Sequence, residues 1–186
     1  MNKKIIKIFF VLNFTLFAGI LSGQSTSFEV SGGAGIGSIK GNSPSVTSLA
    51  GKISFGFNPG FLKAVTFRGE FLIARKVEYF LPEDRRGRYY PFVKAFSLAG
   101  FIYQPLANNF RLEEGLGFVL VNDRTFSDTD DWDSGLTATL LVRYTFDRPA
   151  QNGFSVALGA EFGNTFTNST ASYFVFFLEG LYRFSL

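Results

Sequence analysis

The last fourteen residues, 173–186, constrain the fold more than any other stretch because two kinds of side chain alternate along them. Successive side chains on a β-strand point to opposite faces, so alternate positions share a face. One of the two rows contains the charged residues Glu179 and Arg183. A tilted strand of about this length can cross a lipid bilayer, so the pattern predicts a membrane-spanning strand. The other row is apolar and mainly aromatic: Phe174, Phe176, Leu178, Gly180, Tyr182, Phe184 and Leu186.

The N-terminus has the layout of a secretory signal peptide. Lys3, Lys4 and Lys7 precede an apolar run over 8–21, and small residues follow at 22 and 23. The run is shorter than the ~20 residues of a spanning helix. We therefore predict a cleaved signal at 1–23 and a mature chain at 24–186, with an uncleaved N-terminal anchor as the alternative.

Charge and cysteine usage narrow the functional classes. The signal holds three of the 18 Lys and Arg residues, so the mature chain has 15 basic and 15 acidic residues and is neutral. A neutral chain gives no electrostatic basis for binding nucleic acid. The sequence contains no Cys, so the fold uses neither disulfides nor thiolate metal sites.

Seven earlier stretches alternate in a similar way and are separated by loops rich in Gly, Pro, Asn or charged residues. With 173–186 they predict an all-β fold, an eight-stranded antiparallel up-and-down transmembrane β-barrel with a filled polar lumen. An even strand count places both termini on one side, which for an exported chain is the periplasm. Glu114 falls on the apolar row, so the register of the fourth and fifth strands is left open. The seven stretches are about 27–39, 47–57, 64–80, 89–104, 110–121, 136–146 and 154–162.

The polar row predicts what fills the barrel. It consists mostly of small residues, with five acids and five bases that we expect to form an ion-pair network, because unpaired charges in a narrow lumen are costly. A soluble lipocalin-type barrel would also alternate, but its water-facing row would be richer in Lys and Glu. All seven tyrosines fall at predicted strand ends, where the aromatic girdles of a membrane barrel lie. The predicted network comprises Glu29, Lys52, Arg68, Glu70, Arg111, Glu113, Arg143, Glu161, Glu179 and Arg183.

The signal, the strand count, the girdles and the aromatic last strand together resemble the small eight-stranded outer-membrane barrels of the OmpX and OmpA-transmembrane type, which are described broadly as porin-family proteins. The resemblance covers about 27–186 and implies a Gram-negative outer membrane. It also implies that Tyr182, Phe184 and Leu186 form the C-terminal signal read by the barrel-insertion machinery, although the family often ends in Phe. The abundance of Phe, 25 of 186 residues, together with Asn, resembles a Bacteroidota-type chain.

Few residues suggest chemistry. The sequence contains no His, the usual base of outer-membrane barrel enzymes, so we predict no enzymatic activity and no cofactor. Asp128, Asp130 and Asp133 are weak candidates for a calcium site, but Trp132 interrupts them and no Glu closes the loop. Arg85, Arg86 and Arg88 are candidates for pairing with lipopolysaccharide phosphates, against the simpler interpretation of a solvated loop.

The expected partners are outer-membrane lipid, lipopolysaccharide and the insertion machinery. The predicted role is structural, or the presentation of surface loops. One alternative is an accessory subunit of a larger outer-membrane complex, in which outward glycines allow a partner to approach closely. A second alternative is a narrow pore for small solutes. The glycines in question are Gly32, Gly51, Gly69, Gly100 and Gly180.

Overall fold

Eight antiparallel strands form a closed barrel in the computed structural model, which describes residues 27–62, 64–81, 88–146 and 152–185. Each strand pairs with its neighbours in the chain, and β1 pairs with β8 to close the barrel. The eight-stranded antiparallel up-and-down barrel predicted from the sequence is confirmed. The strands are β1 (Ser27–Lys40), β2 (Val46–Asn58), β3 (Val65–Lys76), β4 (Phe92–Pro105), β5 (Phe110–Arg124), β6 (Asp131–Thr145), β7 (Gly153–Thr165) and β8 (Ser172–Ser185).

The two ends of the barrel differ. The terminal end carries Ser27 and Ser185, together with the β2–β3, β4–β5 and β6–β7 turns. The loop end carries the β1–β2, β3–β4, β5–β6 and β7–β8 connections. Within the described residues, no helix is long and apolar enough to cross a membrane.

The outward faces are the apolar rows that the sequence predicts. Phe55 and Phe176 each expose 55% of their surface, and Leu116 and Phe118 expose 73% and 75%. The register between β4 and β5 is continuous, with Ile102 opposite Glu114. Glu114 therefore lies on the outward face without a bulge.

The strand boundaries differ most from the prediction at the end of β3 and at the start of β6. The third predicted strand extends to residue 80, but β3 ends at Lys76 and a 3-10 helix, Val77–Phe80, follows. The acidic segment predicted as a loop is partly strand, because Asp123 pairs with Asp131 and the β5–β6 ladder continues to that point. Hydrogen bonding between the two backbones thus determines the end of a strand, even where the side chains look like those of a loop.

Buried side chains of the described residues occupy the interior, which is polar over only part of its length. A cluster of buried apolar side chains lies toward the loop end, with Phe177, Tyr173 and Leu72 among its largest members. A smaller apolar cluster around Phe101 and Leu141 lies toward the terminal end. The charged side chains lie between these clusters and around the second one. Apolar side chains therefore occupy part of the interior in which the sequence predicts charged side chains.

Candidate functional site

The largest group of charged side chains in the barrel interior forms one connected set of ion pairs. Nine of the ten residues predicted to lie there are linked, from Glu161 at one end of the set to Arg183 at the other. Their inward direction follows from the two-residue period of each strand, and closure of the barrel brings β1, β2, β3, β5, β6, β7 and β8 within reach of one another. We refer to these nine residues as the lumen network: Glu29, Lys52, Arg68, Arg111, Glu113, Arg143, Glu161, Glu179 and Arg183.

Glu113 is the centre of the lumen network. Its side chain is fully buried and contacts three guanidinium groups. Arg143 donates to it through Nε at 2.6 Å and Nη2 at 3.0 Å. Arg68 donates at 2.9 Å and Arg111 at 2.8 Å. A carboxylate accepts up to about four hydrogen bonds, so Glu113 uses nearly all of its capacity on these three partners.

Glu179 joins this centre to the β2 side of the barrel. Its carboxylate accepts a hydrogen bond from Arg143 at 2.7 Å and lies 3.1 Å from Lys52 Nζ. Lys52 also donates to Glu161 at 3.2 Å. The Tyr173 hydroxyl donates to the other Glu161 oxygen at 2.8 Å. The lumen network thus reaches the base of the larger apolar cluster.

Glu29 joins the same centre to the terminal end. It accepts from Arg68 Nη2 at 2.9 Å and forms a close ion pair with Arg183. The Phe101 ring lies 4.2 Å from the Arg68 guanidinium carbon, and the Phe177 ring lies 4.7 Å from Lys52 Nζ. These aromatic faces add cation–π contacts in a region that is shielded from water.

Glu70 is the one predicted member that the structure leaves outside the lumen network. It is 5% exposed, and neither carboxylate oxygen has a hydrogen-bond partner among the described residues. Lys52 lies diagonally across the β2–β3 ladder, since Glu70 pairs with Ser54 and Leu72 pairs with Lys52. The Lys52 ammonium instead contacts Glu161 and Glu179.

Two tyrosines do not lie where the sequence analysis placed them. Tyr173 is 2% exposed and faces the interior, and the Tyr103 hydroxyl also lies inside, near Arg68 and Glu29. The girdle interpretation is therefore wrong for these two residues. The two-residue period of a strand predicts the correct face for Tyr173, because Tyr173 lies two residues before Val175, which is on the inward row.

The acidic residues proposed as weak metal candidates have separate roles. Asp133 lies in β6, is fully buried, and accepts hydrogen bonds from Ser169 and Thr167 of the β7–β8 connection. Asp130 pairs with Arg124 at 2.6 Å. Hydrogen bonds from Asn122 and Arg124 hold the pKa of Asp130 below its ordinary value. Asp128 lies in the β5–β6 connection, and no cluster of three metal-binding side chains occurs in the part of the chain that the structure describes.

Some predicted segments lie outside the described residues. These are the signal at 1–23, Arg85, Arg86 and the final Leu186. Of the predicted C-terminal signal, Tyr182 and Phe184 are described. Both lie on the outward face of β8, 43% and 41% exposed, with ring centroids 4.8 Å apart.

A group of basic residues on the outward face at the loop end is not apparent from the sequence. Arg75, Lys94 and Arg124 come from β3, β4 and β5, far apart in the chain. Only the strand register shows that they are neighbours, with Arg75 opposite Phe92 and Phe92 opposite Arg124.

Comparisons with known proteins identify the fold. No protein-family model matches the chain, and no curated protein matches its sequence. Among solved structures, Neisserial surface protein A (NspA) aligns with a TM-score of 0.63 at 13% identity, covering 84% of this chain and 96% of NspA. Ail, the attachment invasion locus protein of Yersinia pestis, in complex with the heparin analogue sucrose octasulfate, aligns with a TM-score of 0.53 at 13% identity, covering 87% and 99%.

A third structure gives the same result. The N-terminal β-barrel domain of Pseudomonas aeruginosa OprF aligns with a TM-score of 0.52 at 10% identity, covering 85% of this chain and 97% of that domain. Identities this low show a shared fold, that of small outer-membrane barrels, and do not transfer a function.

Proposed function

We propose that this chain is a non-enzymatic β-barrel of a Gram-negative outer membrane, with both termini in the periplasm and a structural or surface-loop interaction role. The observation that carries the proposal is the combination of an apolar outward belt with an interior occupied by the lumen network and two apolar clusters. A soluble barrel would expose this belt to water, at a cost of about 25 cal/mol per Å² of apolar surface.

The height of the belt supports a position across a bilayer. On β4 the outward row runs from Lys94 to Gln104 with apolar residues or Gly between them, and on β5 it runs from Arg124 and Asn122 down to Glu114, with only Leu and Phe between Asn122 and Glu114. Each span is ten residues. At about 3.3 Å per residue and a tilt of ~40°, ten residues rise about 25 Å, which is the height of the apolar band of outer-membrane barrels. Glu114 and Gln104 would then lie at the periplasmic border and Lys94 and Arg124 at the outer border.

The lumen network supports the absence of catalysis. Each carboxylate in it contacts at least one cation, and Glu113 contacts three. A catalytic carboxylate needs an open site for substrate and a hydrogen-bonding position free for proton transfer. The ion pairs leave these groups in structural roles, in agreement with the lack of His in the sequence.

The loop end supports a surface role. Asp133 fixes the β7–β8 connection through Ser169 and Thr167, so this connection keeps a defined shape above the barrel. Asn168 and Thr170 adopt positive φ angles there, which this anchoring holds in place. The names of two structural neighbours refer to the cell surface and to attachment.

The first test is insertion and export. The protein, refolded into lipid vesicles, is expected to migrate faster on an unheated SDS gel than after boiling, and fractionation of cells should place it in the outer membrane with Gln24 as its first residue. Recovery of the folded chain in the detergent-free soluble fraction would overturn the membrane assignment. Altered lipid A or phospholipid in the mass spectra of overexpressing cells would overturn the non-enzymatic assignment.

The second test concerns the narrow-pore alternative. An interior filled by the lumen network leads us to expect no discrete conductance steps in planar bilayers. Reproducible steps that change size in Arg68→Gln or Glu70→Gln would favour the pore. Steps unaffected by either variant would indicate leakage around the protein.

One observation favours the accessory-subunit alternative. A Cβ added at Gly32 would come no closer than 3.8 Å to another atom, and a Cβ added at Gly69 would meet nothing within 4 Å. These gaps allow another transmembrane segment to approach the backbone closely. Purification in mild detergent tests this alternative, which predicts a stoichiometric partner. A lone monomer that persists after chemical cross-linking in intact membranes would count against it.

A further inference from the structure

Three cations surround one aromatic ring on the outward face at the loop end. The Arg75 guanidinium carbon lies 4.6 Å from the centre of the Phe92 ring, Lys94 Nζ lies at 5.7 Å and the Arg124 carbon at 5.9 Å. The register explains this arrangement, because Arg75, Phe92 and Arg124 form one row across β3, β4 and β5. On the outward face of a membrane barrel, this level corresponds to the lipid headgroups.

The nearby acids leave two of these cations available. Arg124 is paired with Asp130 at 2.6 Å, and Glu78 is paired with Lys76 at 3.1 Å. Within residues 27–62, 64–81, 88–146 and 152–185, neither Arg75 nor Lys94 forms an ion pair with a carboxylate. Arg75 and Lys94 therefore add positive charge without a direct carboxylate contact among the described residues, although Asp130 lies within electrostatic reach of Lys94.

Arg75 is held ready to donate hydrogen bonds. Its guanidinium carbon lies 3.9 Å from the Tyr79 ring centre and 4.6 Å from that of Phe92. The 3-10 helix Val77–Phe80 brings Tyr79 back to this position. Such stacking involves the faces of a guanidinium and leaves its N–H groups in the plane, where a phosphate is bound. The Nε atom of Arg75 is buried and has no hydrogen-bond partner in the described chain.

An apolar groove begins directly below these cations. Its upper part, about 570 Å³, is lined by Leu49, Gly51, Ile73 and Phe80 together with Arg75 and Lys94. A second part of about 560 Å³ follows the same strands toward the terminal end, along Ile53, Phe55, Gly69, Phe71 and Phe96. Gly51 and Gly69 widen the groove, because neither has a side chain to fill it.

We propose that this groove binds a phosphorylated lipid of the outer leaflet, with a phosphate on Arg75 and Lys94 and an acyl chain along the apolar part. Charge complementarity selects the anionic headgroup, and the apolar side chains that line both parts below the cations select a lipid rather than free phosphate. The inference rests on the proposed function, because it requires the outward face to lie in a membrane.

Binding to folded, full-length protein in detergent micelles, followed by native mass spectrometry, tests this site. The probes are bisphosphorylated lipid A, the same lipid with both phosphates removed, and inorganic phosphate. Arg75→Gln should weaken lipid A binding roughly tenfold, because a charge-assisted hydrogen bond is lost. Lys94→Gln should act in the same direction. Gly69→Leu, which fills the lower groove and leaves the cations in place, should also weaken binding.

Lys40→Gln is the matched control. Lys40 is also exposed at the loop end of its strand, but it lies opposite Ser172 of β8, away from β3 and β4. Removing its charge should change lipid A affinity by less than about twofold if only the groove binds. Dephosphorylated lipid should bind more weakly than lipid A to the parent protein, and Arg75→Gln should not weaken it further.

Three results would overturn the inference. These are equal losses in Arg75→Gln and Lys40→Gln, lipid A affinity that does not depend on phosphate, and inorganic phosphate binding as tightly as lipid A. The unheated gel shift separates this failure from failure of the proposed function. A protein that folds and inserts but does not discriminate between the probes refutes the lipid site alone, whereas a protein that does not insert refutes the membrane barrel.

Discussion

Replacement of Glu113 by Gln is the sharpest test of the lumen network. The substitution keeps the size of the side chain and one acceptor oxygen but removes the charge that three guanidinium groups share. The five acids and five bases predicted for the interior balance, so the variant leaves one uncompensated positive charge there. Removing one partner of a buried ion pair typically costs about 3 to 5 kcal/mol. The value for Glu113→Gln should be at the upper end of that range because Arg68, Arg111 and Arg143 all lose charge-assisted hydrogen bonds.

The assay is urea unfolding from lipid vesicles, under conditions where refolding is reversible, followed by tryptophan fluorescence. Trp132 is the only tryptophan in the chain and lies on the outward side of β6, with its ring 6.0 Å from that of Phe96. Its emission should therefore report the loss of the lipid environment on unfolding. A fixed slope of the free energy of unfolding with urea concentration is required before midpoints are compared.

The adjacent residue provides the control. Glu114→Gln makes the same chemical change one position along β5, on the outward face, where Glu114 contacts only the Gln104 amide at 3.5 Å among the described residues. We expect a change within about 1 kcal/mol, in the stabilising direction if Glu114 is in contact with lipid. Similar effects of the two variants, or a loss below about 1 kcal/mol for Glu113→Gln, would refute the central role of Glu113. Combining Glu113→Gln with Arg143→Met, which restores neutrality, should recover part of the loss.

Three further predictions concern separate parts of the barrel. Gly35→Ala should destabilise the protein by about 1 to 3 kcal/mol, because the new Cβ would lie 2.1 Å from the Phe176 carbonyl oxygen. Gly69→Ala should be neutral in the same unfolding assay, because its Cβ would meet nothing within 4 Å. Glu70→Leu should change stability by less than about 1 kcal/mol, because it removes a buried carboxylate without a hydrogen-bond partner among the described residues, and the desolvation it relieves offsets the negative charge lost from the interior. A loss as large as that of Glu113→Gln would show that Glu70 is paired. Asp133→Ala should release the connection at 166–171, seen as faster amide exchange there with little change in the strands.

The overall fold was accessible from the sequence because the barrel imposes the same two-residue period on every strand. The strand count, the outward row of β8 and the inward direction of the ten charged residues follow from that period alone. The ends of the strands were harder to predict from the sequence. β3 stops at Lys76 and the 3-10 helix begins, although the side chains continue to alternate. β6 starts five residues before the predicted strand, at Asp131, because its backbone still pairs with β5.

The ion-pair partners within the interior could not be predicted from the sequence. The sequence gives equal numbers of acids and bases, but the choice of partners depends on the heights at which strands far apart in the chain meet. Glu113 contacts three cations while Glu70 forms no hydrogen bond among the described residues, and no local signal distinguishes them. The tyrosines were misassigned for a different reason. Position along the strand alone predicts Tyr173 and Tyr103 at the girdles, whereas the alternation of side chains directs both of them inward.

The lipid environment that we propose for the outward face explains why the polar residues are more informative than the apolar ones in this chain. Lipid tails and a packed interior are similarly apolar, so the free energy of a Phe side chain differs little between the two faces. Phe101 and Phe177 accordingly lie inside, and Phe55 and Phe176 lie outside. A charge has no such freedom, because leaving it in the hydrocarbon layer costs several kcal/mol. On the outward faces of β3, β4 and β5, charges occur only near the two borders of the apolar band, as Arg75, Lys94, Arg124 and Glu114. Charges between those borders must face inward, where pairing stabilises them; nine of the ten predicted there form the lumen network, and Glu70 lies outside it.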